Sequence, residues 1–210
     1  MTMNSNKSVI RLRTPEEEPA TPLRDRAAED LSFIRATMER ATAFTLVPGL
    51  GGMGMGLTGL TAAWLASRQD SVVGWLAVWL AAAALALAIG LAGVFWKSRR
   101  IGTTIALRPA RRFALSFVPA LLVGALLTVA LARAGRFELL PGVWLLTYGT
   151  GVIAGGTFSV PAIPIMGAGF LACGAAALFT PPAWGNIWMA LGFGGLQLLF
   201  GTIIAMRYGG

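Results

Sequence analysis

The chain has no histidine and a single cysteine, Cys173, among its 210 residues. Without histidine it lacks the usual proton shuttle, the usual haem ligand and the commonest zinc ligand. One cysteine excludes an intramolecular disulfide. Charged residues are also scarce, at 12% of the chain, where soluble domains carry roughly 25%. The sequence therefore predicts no catalytic site, no metal site and no cofactor, and we expect a protein that is not an enzyme.

The longest stretch without a charged side chain runs from Leu139 to Met206. A helix needs about 20 apolar residues to cross a hydrocarbon core of about 30 Å, and this stretch has room for three such helices. The sequence thus predicts an integral membrane protein. Ion-coupled transport usually places an ionisable residue at membrane depth. None lies in any predicted span, which disfavours proton or cation coupling.

The predicted fold is an all-α, polytopic bundle of six transmembrane helices within residues 44–210. Proline clusters at Pro161–Pro164 and Pro181–Pro182 divide the long uncharged stretch, because proline interrupts helices and favours turns. Five or seven spans are the alternatives if the Pro48 or Pro161 region is misread. The predicted spans are approximately 44–67, 72–96, 113–132, 139–159, 161–180 and 185–206.

Two polar segments precede the spans. Residues 1–26 contain too little apolar surface to offset the entropy of ordering, so we expect a disordered cytoplasmic tail. Residues 27–43 have apolar side chains at helical spacing and oppositely charged pairs on the other face, which predicts an amphipathic cytoplasmic helix. This helix either packs on the ends of the bundle or contacts a partner.

The charge distribution predicts the orientation. Residues 1–43 hold seven basic and seven acidic residues, so the net charge of +8 lies among the apolar segments and gives no reason to expect nucleic-acid binding. With both termini in the cytoplasm, fourteen basic residues lie inside and three outside, which satisfies the positive-inside rule. Five tryptophans fall at predicted outer ends, as in an interfacial belt: Trp64, Trp75, Trp144, Trp184 and Trp188. Four cytoplasmic arginines are predicted to contact lipid headgroups: Arg99, Arg100, Arg111 and Arg112.

Two internal repeats are visible. A shift of 68 residues aligns Arg68 with Arg136 and Asp70 with Glu138, which favours three repeated helical hairpins and predicts an ion pair in each of two outer turns, Arg68/Asp70 and Arg136/Glu138. A shift of 93 residues aligns 44–49 with 137–142 and suggests two inverted three-helix halves, a common transporter plan. We prefer the hairpins because their matches include charged residues.

Glycine pairs and polar side chains within the spans are the remaining candidate sites. Gly52-x-x-x-Gly56 and Gly151-x-x-x-Gly155 predict close helix packing, since small residues let two backbones approach. Three uncharged polar residues could line a small polar cavity or form hydrogen bonds between helices: Tyr148, Thr150 and Gln197.

The hairpin segments 167–182, beginning Gly167–Ala–Gly–Phe170, and 192–201, beginning Gly192–Phe–Gly–Gly195, together with the six-span layout, resemble the HdeD type of small bacterial membrane protein. The resemblance covers about residues 49–207. It implies a bacterial cytoplasmic-membrane protein associated with acid or envelope stress and without established enzymatic activity. Residues 34–49 also resemble uncharacterised bacterial membrane proteins.

Three functional hypotheses follow. The first is a non-enzymatic, stress-associated protein or accessory subunit, bound to a partner through residues 27–43 or the glycine-rich faces and surrounded by the lipid bilayer. The second is a small-molecule transporter or channel with inverted repeats and a midplane cavity near Tyr148 and Gln197. The third, a membrane enzyme acting on an anionic lipid at the cytoplasmic arginines, is disfavoured. The sequence leaves the oligomeric state open.

Overall fold

The computed structural model describes residues 28–34, 49–101, 103–157 and 159–208, and every regular element in these ranges is helical. The predicted tail 1–26 and the rest of the predicted helix 27–43 lie outside the described residues. Residues 28–34 form a short helix, α1, which belongs to a unit separate from residues 42–210. The helices of the second unit are α2 (Gly49–Ala66), α3 (Val72–Ile101), α4 (Thr103–Arg133), α5 (Leu140–Gly156), α6 (Ala162–Phe179) and α7, a continuous helix made of the segments Gly185–Met189, Ala190–Leu196 and Gln197–Tyr208.

Within the described residues, five stretches are long and apolar enough to cross a membrane, one in each helix from α3 to α7. The all-helical architecture with several helices that could span a membrane agrees with the prediction, whereas the sixth span is not confirmed. The helix of the first predicted span, α2, has 18 described residues, six of which are glycine. It is not among the five, because glycine contributes little hydrophobicity, and residues 44–48 of that span lie outside the described residues. The five candidate spans are Val72–Gly93, Arg111–Arg133, Phe137–Gly156, Ala162–Phe179 and Pro182–Arg207.

The ends of the later helices fall at proline and glycine residues. Pro161 occupies the N-terminal cap position of α6, and a 3-10 turn, Pro182–Trp184, leads into α7. The chain leaves α4 through Gly135, whose φ of 69° is left-handed. The amide of Arg136 donates to the carbonyl of Leu131 and the amide of Gly135 to that of Ala132, so the glycine closes the helix with a Schellman-type cap.

The bundle has an inner and an outer group of helices. Helices α2, α5, α6 and α7 contribute most of the buried side chains, whereas little of α3 and α4 is buried. Helix α3 packs on α2 and α4 packs on α5, but α3 and α4 touch each other at few points. The two outer helices therefore flank a gap.

Close backbone contact joins α2 to α7. A Cβ built on Gly59 would lie 2.4 Å from the carbonyl oxygen of Phe193, and one on Gly52 would lie 3.1 Å from the Cα of Gly201. In return, a Cβ on Gly201 would lie 2.7 Å from the amide nitrogen of Met53. The predicted packing glycines Gly52 and Gly56 both lie in this contact, which requires small residues on both helices.

The second predicted glycine pair packs differently. Gly151 lies against the ring of Phe117 and Gly155 against the ring of Phe113, with Cβ positions 2.8 Å from ring carbons. These rings come from α4, so Gly151 and Gly155 make room for two side chains and not for the backbone of a second helix. Close backbone contact of α5 is instead made by Gly149, whose Cβ position lies 2.9 Å from the carbonyl oxygen of Gly167 on α6.

Candidate functional site: an apolar cavity within the spans

A cavity of about 690 Å³ occupies the gap between α3 and α4 and extends to the inner helices. Its volume lies within the roughly 300–1,000 Å³ typical of small-molecule sites. Its described lining comes from all six helices of the unit, is overwhelmingly apolar and includes no charged residue. The lining belongs largely to the candidate spans, and its apolar surface offers an environment for an apolar molecule.

The cavity has a mouth between the two outer helices. Five large apolar residues line it and are also exposed on the surface of the bundle. All five lie inside the candidate spans of α3 and α4, so the mouth opens on the apolar outer surface of these two helices. The mouth residues are Leu80, Leu87, Leu91, Val118 and Leu121.

Two polar side chains lie on the inner wall. The amide nitrogen Nε2 of Gln197 on α7 donates to the hydroxyl oxygen of Tyr148 on α5 over 2.5 Å. Gln197 is only 4% exposed and is the one polar or charged side chain among the described residues that is fully buried. Both residues line the cavity. A buried donor without an acceptor costs about 1–3 kcal/mol. Any donor of this pair that has no acceptor in the protein therefore lowers the stability of the bundle.

Aromatic rings hold Tyr148 in place. Its ring centroid lies 4.7 Å from that of Phe170, 5.1 Å from that of Phe193 and 5.5 Å from that of Phe117. The contacts with Phe117 and Phe193 are T-shaped, at interplanar angles of 86° and 69°, an arrangement that adds favourable quadrupole interactions to the burial. The rings come from three other helices, so the orientation of the Tyr148 hydroxyl is set by the tertiary structure.

A π-helical segment precedes Gln197. Residues Ala190–Leu196 are wound with the wider π-helical turn, and this segment contains Gly192, Gly194 and Gly195. Gly192 lies against Leu145 and Phe170, where there is no room for a Cβ. Phe193, within this segment, and Gln197, directly after it, both line the cavity. Such π-helical insertions occur frequently at functional sites.

Hydrogen-bonded tryptophans close the cavity at the end of the bundle where α2 connects to α3. The carbonyl oxygen Oδ1 of Asn186 accepts from the indoles of Trp75 (3.4 Å) and Trp79 (3.1 Å), while its amide donates to the backbone oxygen of Ala63 over 2.7 Å. The indole of Trp144 donates to the hydroxyl of Thr128. Asn186 therefore links α2, α3 and α7 at this end.

The tryptophans expected to form an interfacial belt divide into two groups. Trp64 and Trp184 are exposed, at 56% and 50%. Trp75 and Trp144 stack inside the bundle with ring centroids 5.7 Å apart, and the indole of Trp188 donates to the hydroxyl of Thr180. The inner three thus serve packing and hydrogen bonding within the protein.

The structure brings together some of the predicted site residues. Tyr148 and Gln197 meet in the cavity wall, whereas Thr150 is exposed and its hydroxyl donates to the carbonyl of Leu146 in its own helix. Arg136 and Glu138 form an ion pair of 2.5 Å in a mainly exposed turn. In the other hairpin turn the guanidinium of Arg68 lies over the ring of Trp64, 4.4 Å from its centroid. Among the described residues, no ion pair joins Arg68 to Asp70.

The predicted headgroup arginines lie beyond the apolar windows of α3 and α4 or at their edge. Arg111 and Arg112 are exposed. The guanidinium of Arg99 lies 4.4 Å from the ring centroid of Phe95. The backbone of Arg100 is helical.

Most of the residues that line the cavity could not be identified from the sequence. Trp79, Phe117 and Phe193 line the cavity but could not be told from other apolar residues, because nothing in an all-apolar helix marks the face that lines a cavity. Asn186 was one of several uncharged polar residues near helix ends. The three glycines within Ala190–Leu196 were the one visible signal of an irregular helix at this site.

No group of three or more His, Cys, Asp or Glu residues that could hold a metal ion occurs in the described part of the chain. No protein-family model, curated protein or solved structure matches this chain. The geometry of the cavity is therefore the basis for assigning a function.

Proposed function

We propose that the chain is a non-enzymatic, multi-pass membrane protein that binds a lipophilic small molecule in the cavity between α3 and α4. The observation that carries this proposal is the cavity of about 690 Å³ with a mouth lined by exposed apolar residues of α3 and α4. It supports the hypothesis of a small-molecule transporter more than that of an accessory subunit. The predicted packing glycines also point inside the bundle, toward α7 and α4, which leaves residues 27–43 as the contact for any partner protein.

The chemistry of the lining favours a carrier or receptor over a channel. Pores for ions and water are lined by carbonyls, charges or other polar groups that replace hydration. The described lining of this cavity is apolar except for a few uncharged polar side chains. A molecule that already dissolves in the bilayer enters such a cavity without losing hydration, whereas an ion would lose it without compensation.

Photolabelling tests the proposal directly. The full chain is placed in phosphatidylcholine nanodiscs and irradiated with an alkyl diazirine on a dodecane chain, and labelled residues are mapped by mass spectrometry. We expect label to concentrate on Tyr148 and Phe193 of the inner wall and on Phe117 beside them, and to decrease when excess dodecane is added. Label spread evenly over lipid-facing residues such as Leu115 and Leu126, with no effect of dodecane, would contradict the proposal.

A cavity-filling variant supplies the matched comparison. Ala86→Phe places a ring in the cavity, since Ala86 is part of the lining. Ala88→Phe adds the same ring to the exposed surface of the same helix. We expect labelling of the inner wall to fall several-fold in Ala86→Phe and to stay unchanged in Ala88→Phe, with both variants eluting as folded protein.

The proposal includes six spans with both termini in the cytoplasm of a bacterial cell. This orientation satisfies the positive-inside rule, because the α3–α4 connection is rich in basic residues and the outer turns contain three arginines. In a Cys173→Ala background, a cysteine introduced as Ser67→Cys in the α2–α3 turn should react with a membrane-impermeant maleimide on intact cells. Ser5→Cys should react only after lysis. Labelling of Ser5→Cys on intact cells would overturn the orientation.

A further inference from the structure

The hydrogen-bonding groups of the cavity lining are nearly all occupied. The hydroxyls of Thr58, Thr128 and Thr147 donate to carbonyls of their own helices. The indoles of Trp79 and Trp144 donate to Asn186 and Thr128. None of these groups has a proton left for a ligand.

The pair formed by Tyr148 and Gln197 is different. Tyr148 accepts a hydrogen bond from Gln197, and among the described residues no acceptor takes the hydroxyl proton of Tyr148. If the amide of Gln197 is turned over so that its oxygen accepts from Tyr148, the amide protons of Gln197 are free instead. In either arrangement the pair keeps a spare proton donor in a buried, apolar wall.

We infer that this pair recognises a neutral carbonyl group on an otherwise apolar ligand, with the carbonyl at the inner wall and the chain pointing to the mouth between α3 and α4. This inference rests on the proposed function and adds the chemical class of the ligand. A carbonyl oxygen accepts the spare proton, and the apolar remainder of the ligand contacts the aromatic rings and the mouth residues. Ketones, esters and quinones share this chemistry.

The lining argues against an ionised ligand. The described lining residues include no Lys or Arg, so a buried carboxylate would have no opposite charge to offset its lost hydration. A ligand with a hydroxyl as its sole polar group could also accept the spare proton, but its own proton would then need the amide oxygen of Gln197 as a second partner. A carbonyl accepts the spare proton and has no proton of its own that needs an acceptor.

Competition for the photolabel tests the inference. In nanodiscs, dodecan-2-one and dodecane are each titrated over the same range of mole fractions in the lipid, and the mole fraction that displaces half of the alkyl diazirine from the inner wall is measured. We expect the ketone to displace the label at about one-fifth of the mole fraction that the hydrocarbon needs, the effect of one net hydrogen bond. Laurate at neutral pH should displace it no better than dodecane.

Two variants identify the groups responsible. Tyr148→Phe removes the hydroxyl and keeps the ring, and Gln197→Leu removes the amide at similar size. Each single variant leaves the donor of the other residue in place and should reduce the difference between ketone and hydrocarbon. The double variant Tyr148→Phe/Gln197→Leu should abolish the difference while leaving the diazirine label on the inner wall. Thr150→Val on the outer face of α5 is the matched control and should retain the wild-type difference.

The outcomes separate the two proposals. If the label concentrates in the cavity but ketone and hydrocarbon compete equally in the wild type, the carbonyl inference is wrong and the binding function stands. Stronger displacement by laurate than by the ketone would also overturn the inference. If the label never concentrates in the cavity, the proposed function itself fails.

Discussion

Gly59→Ala is expected to destabilise the bundle by about 2–3 kcal/mol, the usual cost of overpacking a close contact. The added methyl group would lie 2.4 Å from the carbonyl oxygen of Phe193 and 2.6 Å from its carbonyl carbon. These are backbone atoms, so no side-chain rotation relieves the clash, and α2 must move away from α7. The gain in helix propensity from glycine to alanine, roughly 0.5–1 kcal/mol, offsets only part of this.

Gly90→Ala on α3 is the matched control. A Cβ at Gly90 would lie 3.8 Å from the sulfur of Met55, an ordinary contact, so this variant should be as stable as the wild type or slightly more stable. Both are compared by titrating SDS into mixed micelles and following far-UV circular dichroism. Equal midpoints for Gly59→Ala and Gly90→Ala would show that the α2–α7 contact is looser than described.

Asn186→Leu is expected to cost about 2 kcal/mol of bundle stability. It removes the acceptor of two tryptophan indoles and the donor to Ala63, and hydrogen bonds between membrane helices are worth about 0.6 kcal/mol on average and up to about 1.7. Because Trp79 is 4% exposed, its indole has no access to water as a replacement. We also expect the near-UV circular dichroism of the tryptophans to decrease, since their orientation depends on this amide.

Thr61→Val serves as the control for Asn186→Leu. The hydroxyl of Thr61 is exposed and donates to the carbonyl of Leu57 in its own helix, so its removal should leave both the SDS midpoint and the near-UV spectrum unchanged. If Asn186→Leu matched Thr61→Val in both measurements, the tryptophans would be held by packing alone.

The helices themselves were predictable because hydrophobicity and charge act locally. A stretch without charge, interrupted by prolines, specifies where the chain crosses a bilayer whatever packs beside it. Five of the six expected segments are accordingly present as candidate spans. The exception is α2. Its glycines make the contact with α7 but also lower its hydrophobicity, so hydrophobicity alone does not identify it as a span.

The partners of the helices were not predictable. In a soluble helix the apolar stripe identifies the buried face, but a membrane helix is apolar toward lipid and protein alike. The glycine pairs indicated close packing at Gly52 and Gly151 without showing that one meets a backbone and the other a phenylalanine ring. Neither internal repeat of the sequence indicated the gap between α3 and α4.

The uncharged run from Leu139 to Met206 also shows which properties the sequence determines and which depend on the tertiary structure. By itself the sequence determined that this run is apolar and long enough to cross a membrane and carries no charged residue, because both properties follow from residue type. Only the tertiary structure decided that Tyr148 and Gln197, distant in sequence, share a hydrogen bond in the wall of a cavity. The physical reason is that the cavity arises from how α3 and α4 pack on different inner helices, which is set by side-chain fit across helices.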